Sequence, residues 1–162
     1  MVEAKKGLAG KFTTAMPQPR PDGPLFFLAK LMTKMHVALY RLSKGRLGGR
    51  MDAARLLVLH HRGAKTGQPR ATPVIYLEDG PNLVVVASMG GQDVNPAWYH
   101  NLRAHPEIEV DIRGQRRPVR ARLATAEETT ALWPQLSRMW PAFEDYKKRT
   151  DREFPVFLLE PR

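Results

Sequence analysis

Short apolar runs closed by tight polar turns fill the middle of this chain, a pattern that leaves no room for a helical bundle. Leu56–His60 and Leu83–Ala87 are nearly continuous apolar runs, as expected of strands buried on both faces. Arg70–Glu78 lies between them, and Asp79-Gly80-Pro81-Asn82 is a turn cluster joining it to the second run. Further on, Ile108, Val110 and Ile112 alternate with Glu107, Glu109 and Asp111, and Val119, Ala121 and Leu123 alternate with Arg120 and Arg122. A two-residue turn at Gly114-Gln115 would set Glu109 opposite Arg120 and Glu107 opposite Arg122, a structural explanation for those arginines. Pro155–Glu160 supplies a closing strand.

Helical patterns interrupt these strands. From Leu25 to Ser43, Leu28, Met32, Met35, Leu39 and Leu42 share one face, while Lys30, Lys34, Arg41 and Lys44 fall on the other. The apolar face is expected to pack on the core, with a lid or a membrane-surface role as the alternative. Leu47-Gly48-Gly49 ends this helix. Asn95-Pro96 reads as an N-cap with Pro at the first helical position, opening a helix to about Ala104. Thr125-Ala126-Glu127-Glu128 is a capping box for a helix to about Trp140, and Ala142–Thr150 forms a shorter piece after Pro141. Residues 1–24, with Pro17, Pro19, Pro21 and Pro24, read as a flexible lead-in. The expected organisation is thus a lead-in, a basic amphipathic helix over 25–45, and one domain over 46–162. The fold expected is mainly β with helices, an antiparallel sheet curled into a small barrel.

Charge narrows the partner. Residues 1–75 carry a net charge of +11 and residues 76–162 a net of −1, so an anionic partner is expected for the N-terminal half. Its focus is Arg62-Gly63-Ala64-Lys65-Thr66-Gly67-Gln68-Pro69-Arg70, which holds no carboxylate. Such a loop offers backbone N–H groups and fixed cations to a phosphate or carboxylate, or it is a solvated turn. With no cysteine, neither disulfides nor thiolate metal sites arise. His60 and His61 point to opposite faces of a strand, and His100 and His105 share no helical ridge, so no metal site is expected. No apolar run reaches membrane-spanning length and the first residues lack a secretory pattern. A cytoplasmic location is the expectation. No nucleophilic triad or dinucleotide fingerprint is present, so an enzyme of this kind would borrow a cofactor's chemistry.

Three blocks could build the slot for one: Gly63–Pro73, then Val86-Ala87-Ser88-Met89-Gly90-Gly91, then Asn95-Pro96-Ala97-Trp98-Tyr99-His100-Asn101-Leu102-Arg103-Ala104. In this order, with Pro155–Pro161 as the last strand, they resemble the deazaflavin-dependent nitroreductase family. Its members are F420-dependent oxidoreductases of the split β-barrel fold, related to pyridoxamine-phosphate-oxidase and FMN-binding proteins. The resemblance implies that Lys65, Thr66 and Arg70 receive the phosphodiester and poly-glutamate tail of coenzyme F420, with Ala64 and Pro73 among the residues that bind the coenzyme. It places Val86, Ala87, Ser88 and Met89 at the deazaflavin ring, and Pro96, Ala97, Trp98, Tyr99 and Asn101 around the groove. Ser88 and Tyr146 are its catalytic candidates, and Ile75, Trp140, Phe143 and Tyr146 its acceptor pocket. Ala64 and Met89 stand where family members often carry basic residues. Ile75, Trp140 and Phe143 replace pocket tyrosines, and Tyr76 should face the other side of its strand. The expected reaction is hydride transfer from reduced F420 to a hydrophobic quinone, enone or nitro acceptor, a quinone or enone before a nitroimidazole. The resemblance also implies a monomer and, for some members, contact with an anionic membrane surface. The rivals are a non-catalytic F420 or lipid binder, an FMN-using barrel, and a nucleic-acid binder, the last resting on charge without a recognition motif.

Overall fold

The structure is a computed structural model that describes residues 24–43, 49–51 and 54–162. The expected lead-in therefore lies outside the described residues except for Pro24, as does Lys44. In chain order the elements are α1 (Pro24–Leu42), β1 (Arg50–Met51), β2 (Ala54–Arg62), β3 (Pro69–Asp79) and β4 (Asn82–Val86). A 3-10 turn (Met89–Gly91), α2 (Ala97–Ala104), β5 (Glu107–Ile112) and β6 (Gln115–Leu123) follow. Then come α3 (Ala126–Met139), α4 (Ala142–Lys147) and β7 (Val156–Pro161).

The sheet order is β1-β2-β3-β4-β7-β6-β5, and β2 also pairs with β5. Strands β2 to β7 thus close into a six-stranded antiparallel barrel, with β1 a short extension on β2. Closure leaves the ring no free edge. Alternation decides what fills it: Leu57, Leu59, Leu83, Val85, Val110, Ala121, Phe157 and Leu159 point inward. Trp98 and Leu102 of α2 join that core. The opposite residues of β4 and β7, Val84, Val156 and Leu158, meet Leu132, Leu136 and Phe143 of α3 and α4. Because β4 and β7 are covered on both faces, their sequences are continuously apolar.

Three details differ from expectation. The orientation of α1 is reversed: Val37 and Tyr40 are buried against Val58 and Ala71, whereas Met32 and Met35 are each 63% exposed and Leu42 is 86% exposed. The Tyr40 hydroxyl donates to the Asp111 carbonyl (3.1 Å) and accepts from the Arg113 N–H (3.0 Å). The barrel wall beside α1 presents these polar groups, and a purely aliphatic stripe would leave them unpaired. The β5–β6 turn falls at Arg113-Gly114 rather than Gly114-Gln115, both residues having positive φ (49° and 79°). Such a turn twists with its strands, and the register becomes Glu107↔Arg120, Glu109↔Pro118 and Asp111↔Arg116. Arg122 instead bridges Glu128 (2.7 Å) and Glu160 (2.6 Å). Finally, Pro96 rather than Asn95 caps α2. The capping box at Thr125 and Glu128 is present as expected.

Candidate functional site

Strand register gathers the three sequence blocks at one end of the barrel. The C-terminal ends of β2 and β4 and the N-terminal ends of β3, β5 and β7 all lie there. Loop 63–68, the segment 87–95, α2 and the chain entering β7 therefore emerge together.

Loop 63–68 is internally braced. The Gly63 N–H donates to the Gln68 carbonyl (2.9 Å) and the Gly67 N–H to the Gly63 carbonyl (2.8 Å). A Cβ at Gly63 would lie 2.5 Å from Thr66 Oγ1, so the turn needs glycine there. Ala64, Lys65, Thr66 and Arg70 face solvent. Among the described residues no carboxylate lies within ion-pair distance of Lys65 or Arg70.

Buried polar groups fasten this loop to the barrel. The Ala64 N–H donates to Asn101 Oδ1 (2.8 Å), and Asn101 Nδ2 lies 3.0 Å from His61 Nδ1. Asn101 must then present its NH2 to the imidazole, so Nδ1 accepts and Nε2 carries the proton. That Nε2 lies 3.0 Å from Thr72 Oγ1. Burial first, and then the charges of Arg70 and His60, push the His61 pKa down to about 4. His61 is neutral at pH 7. His60 lies on the opposite face of the strand from His61, as expected, and there pairs with Asp111 (2.7 Å). The Asn101 side chain is thus committed to holding the loop.

At the end of β4 the chain makes an unusual bend. Ala87 is fully buried, and Met89, Gly90 and Gly91 all have positive φ (50°, 66° and 81°). A Cβ on Gly91 would sit 2.8 Å from the Tyr146 carbonyl oxygen, so this bend is pressed against α4. Arg152 grips its other side through the carbonyls of Ala87, Ser88 and Gln92 and through Asn95 Oδ1. In α4, Glu144 accepts from Trp133 Nε1 (2.7 Å) and Ser137 Oγ, which fixes the helix on α3.

Of the remaining candidates, Trp98 is in the barrel core, 5.9 Å from the Phe157 ring, and Pro96 is buried. Tyr99 sets its edge against Phe157 (5.8 Å) and remains half-buried, and Ala97 is exposed. Trp140, Phe143 and Tyr146 fall in one cluster outside the barrel, with Val86 at its border. Tyr76 points into the barrel as expected, so Ile75 and Pro73 lie on the outer face of β3. His61, Thr72 and Arg152 were not among the candidates. Position beside the loop could have flagged the first two. Nothing in sequence flags Arg152, whose carbonyl partners at Ala87 and Gln92 lie 65 and 60 residues away.

A closed antiparallel barrel with a basic, glycine-turned loop and a strand-end bend at one mouth is the form of a split-barrel coenzyme-binding protein. Comparison with known proteins identifies the kind: the family model for F420H(2)-dependent quinone reductase matches residues 32–161, and the chain belongs to that family. It is 36% identical over 140 residues to an F420H(2)-dependent quinone reductase of Mycobacterium tuberculosis strain H37Rv, covering 81% of this chain and 91% of that one. A solved F420-H2 dependent reductase, FDR-A, is 32% identical with a TM-score of 0.60, covering 65% of this chain and 93% of that one. A heme binding protein from Mycobacterium smegmatis, at 17% identity and a TM-score of 0.52 over 74% of this chain and 50% of that one, shares the fold alone. The family resemblance read from the three blocks is borne out, and the family is described by its quinone acceptors.

Proposed function

We propose that this chain binds reduced coenzyme F420 and reduces an apolar quinone-type acceptor. The observation that carries the reading is the pair of cations, Lys65 and Arg70, without a carboxylate partner among the described residues, on an open loop that His61 and Asn101 fasten to the barrel mouth. This donor set suits an anionic coenzyme: Lys65 as a point charge, Arg70 as a fork for an oxyanion, and Thr66 as a hydroxyl donor. When bound, the coenzyme supplies the hydride. The Ser88 and Met89 peptides border its ring, and Ala97 and Tyr99 close the groove. Trp140, Phe143 and Ile75 form an apolar wall that excludes water from the acceptor. Tyr146 holds a hydroxyl proton beside that wall for the acceptor oxygen.

Fluorescence titration with F420 tests this. Lys65→Ala and Arg70→Ala are each expected to weaken binding at least ~10-fold, about 1.4 kcal/mol. Unchanged affinity in both removes the reading of the loop. A protein that binds F420 yet oxidises its reduced form with no quinone is the storage or delivery protein instead. Parallel titration with FMN separates the flavin alternative.

The exposed stripe of α1, running through Leu28, Leu31, Met32, Met35, Leu39 and Leu42, supports peripheral contact with an anionic membrane surface. Among the described residues no helix is long and apolar enough to cross a membrane. We take the protein to be a monomer that approaches its acceptor from the bilayer surface. Pelleting with anionic liposomes at low salt checks the contact, and protein left in the supernatant ends it.

A further inference from the structure

The Arg152 guanidinium makes more contacts with the backbone of the β4–α2 segment than any ion pair requires. Nη2 donates to the Ser88 carbonyl (2.9 Å), Nη1 to the Ala87 carbonyl (3.2 Å) and to Asn95 Oδ1 (2.5 Å), and Nε to the Gln92 carbonyl (3.0 Å). Its own main-chain N–H is held by Thr150 Oγ1 (3.1 Å), which in turn donates to Asp93 Oδ1 (2.6 Å). Its plane lies 5.0 Å from the Phe154 ring centroid. Burial lowers its pKa from the usual arginine range, yet a guanidinium stays charged at any working pH.

A trans peptide carries its C=O and N–H in opposite directions. Guanidinium bonds to the carbonyls of Ala87 and Ser88 therefore turn the N–H groups of Ser88 and Met89 away from Arg152. The cation also polarises both peptides, which strengthens the N–H groups as donors. On the far side Gly91 rests against the Tyr146 backbone, so the segment cannot relax by rotating toward α4. We infer that Arg152 is a positioning residue that aims the Ser88 and Met89 amides at the polar edge of the bound ring. This rests on the assignment of segment 86–91 to the deazaflavin. Arg152 acts through the two peptides and touches neither coenzyme nor acceptor.

The test compares wild type, Arg152→Lys and Arg152→Met by fluorescence titration with whole F420 and with a deazaflavin fragment lacking the phosphate and tail. Arg152→Met is expected to weaken both ligands by the same factor, at least ~10-fold. Arg152→Lys, which keeps charge and fewer donors, should recover part of that loss. Lys65→Ala should weaken whole F420 and leave the fragment unchanged. Arg152→Met with a lowered melting temperature but unaltered fragment affinity makes Arg152 a structural staple and overturns the inference. Should that variant fail to fold, amide NMR of the wild type decides. The Ser88 and Met89 N–H signals must shift on adding the fragment, and stationary signals overturn the inference as well. Wild type that binds neither ligand removes the proposed function itself, a distinguishable result.

Discussion

His61 makes the stability of this protein depend on pH in a direction and window the geometry sets. Its Nδ1 must accept from Asn101, whose other end holds the Ala64 N–H. A proton on Nδ1 would set donor against donor in a buried site. The folded-state pKa of about 4 lies below the ordinary 6.5, so as pH falls the unfolded chain takes up the proton first. The His61 contribution is therefore complete above pH 6.5 and is lost as pH falls toward 4. A gap of about 2.5 pH units corresponds to ~3 kcal/mol in full, of which ~2 kcal/mol disappears between pH 7 and pH 4.5. The assay is urea unfolding of wild type and His61→Gln at those two pH values. Glutamine does not titrate, and the carboxylates common to both proteins cancel. The stability difference between wild type and variant should shift against wild type by ~2 kcal/mol on acidification. A difference constant to within about 0.5 kcal/mol would mean that His61 titrates as an exposed imidazole, and the tethering argument would fail.

Other consequences can be measured in the same way. Tyr40→Phe leaves the Arg113 N–H without its acceptor and should cost about 1–3 kcal/mol by urea unfolding. Gly91→Ala forces a side chain onto a residue at φ 81° with backbone 2.8 Å away. It should cost at least about 1 kcal/mol and lower the melting temperature. Thr125→Ala removes the oxygen that accepts from the Glu128 N–H at the start of α3, for a loss of about 1 kcal/mol. Because Lys65 and Arg70 are exposed, F420 affinity should fall steadily as salt is raised through the physiological range. Salt-independent affinity would assign the binding to other groups.

Particular residues show why some of this was legible in sequence. The runs in β2 and β4 announced themselves because both faces of those strands are covered, one by the barrel interior and the other by a helix. The basic loop was legible because its composition, cations and glycines without a carboxylate, is a local property. The α1 stripe was legible as a stripe and misleading as a contact. Helical spacing tells which side chains share a face, and says nothing of the surface that face will meet. The β5–β6 register was misplaced because a two-residue turn at Arg113-Gly114 differs from its neighbour at Gly114-Gln115 only in backbone dihedrals. The tether from His61 to Asn101 and the grip of Arg152 on Ala87 were not legible because each joins residues distant in the chain.

Periodicity and capping determined the succession of strands and helices, local composition the basic loop, and three short sequence blocks the family resemblance, because each is written within a few neighbouring residues. Tertiary structure decided which face of α1 is buried, which tautomer His61 keeps and which way the peptides of Ala87 and Ser88 point. Those outcomes turn on the pairing of buried polar groups, and a polar group finds its partner only after the barrel has closed.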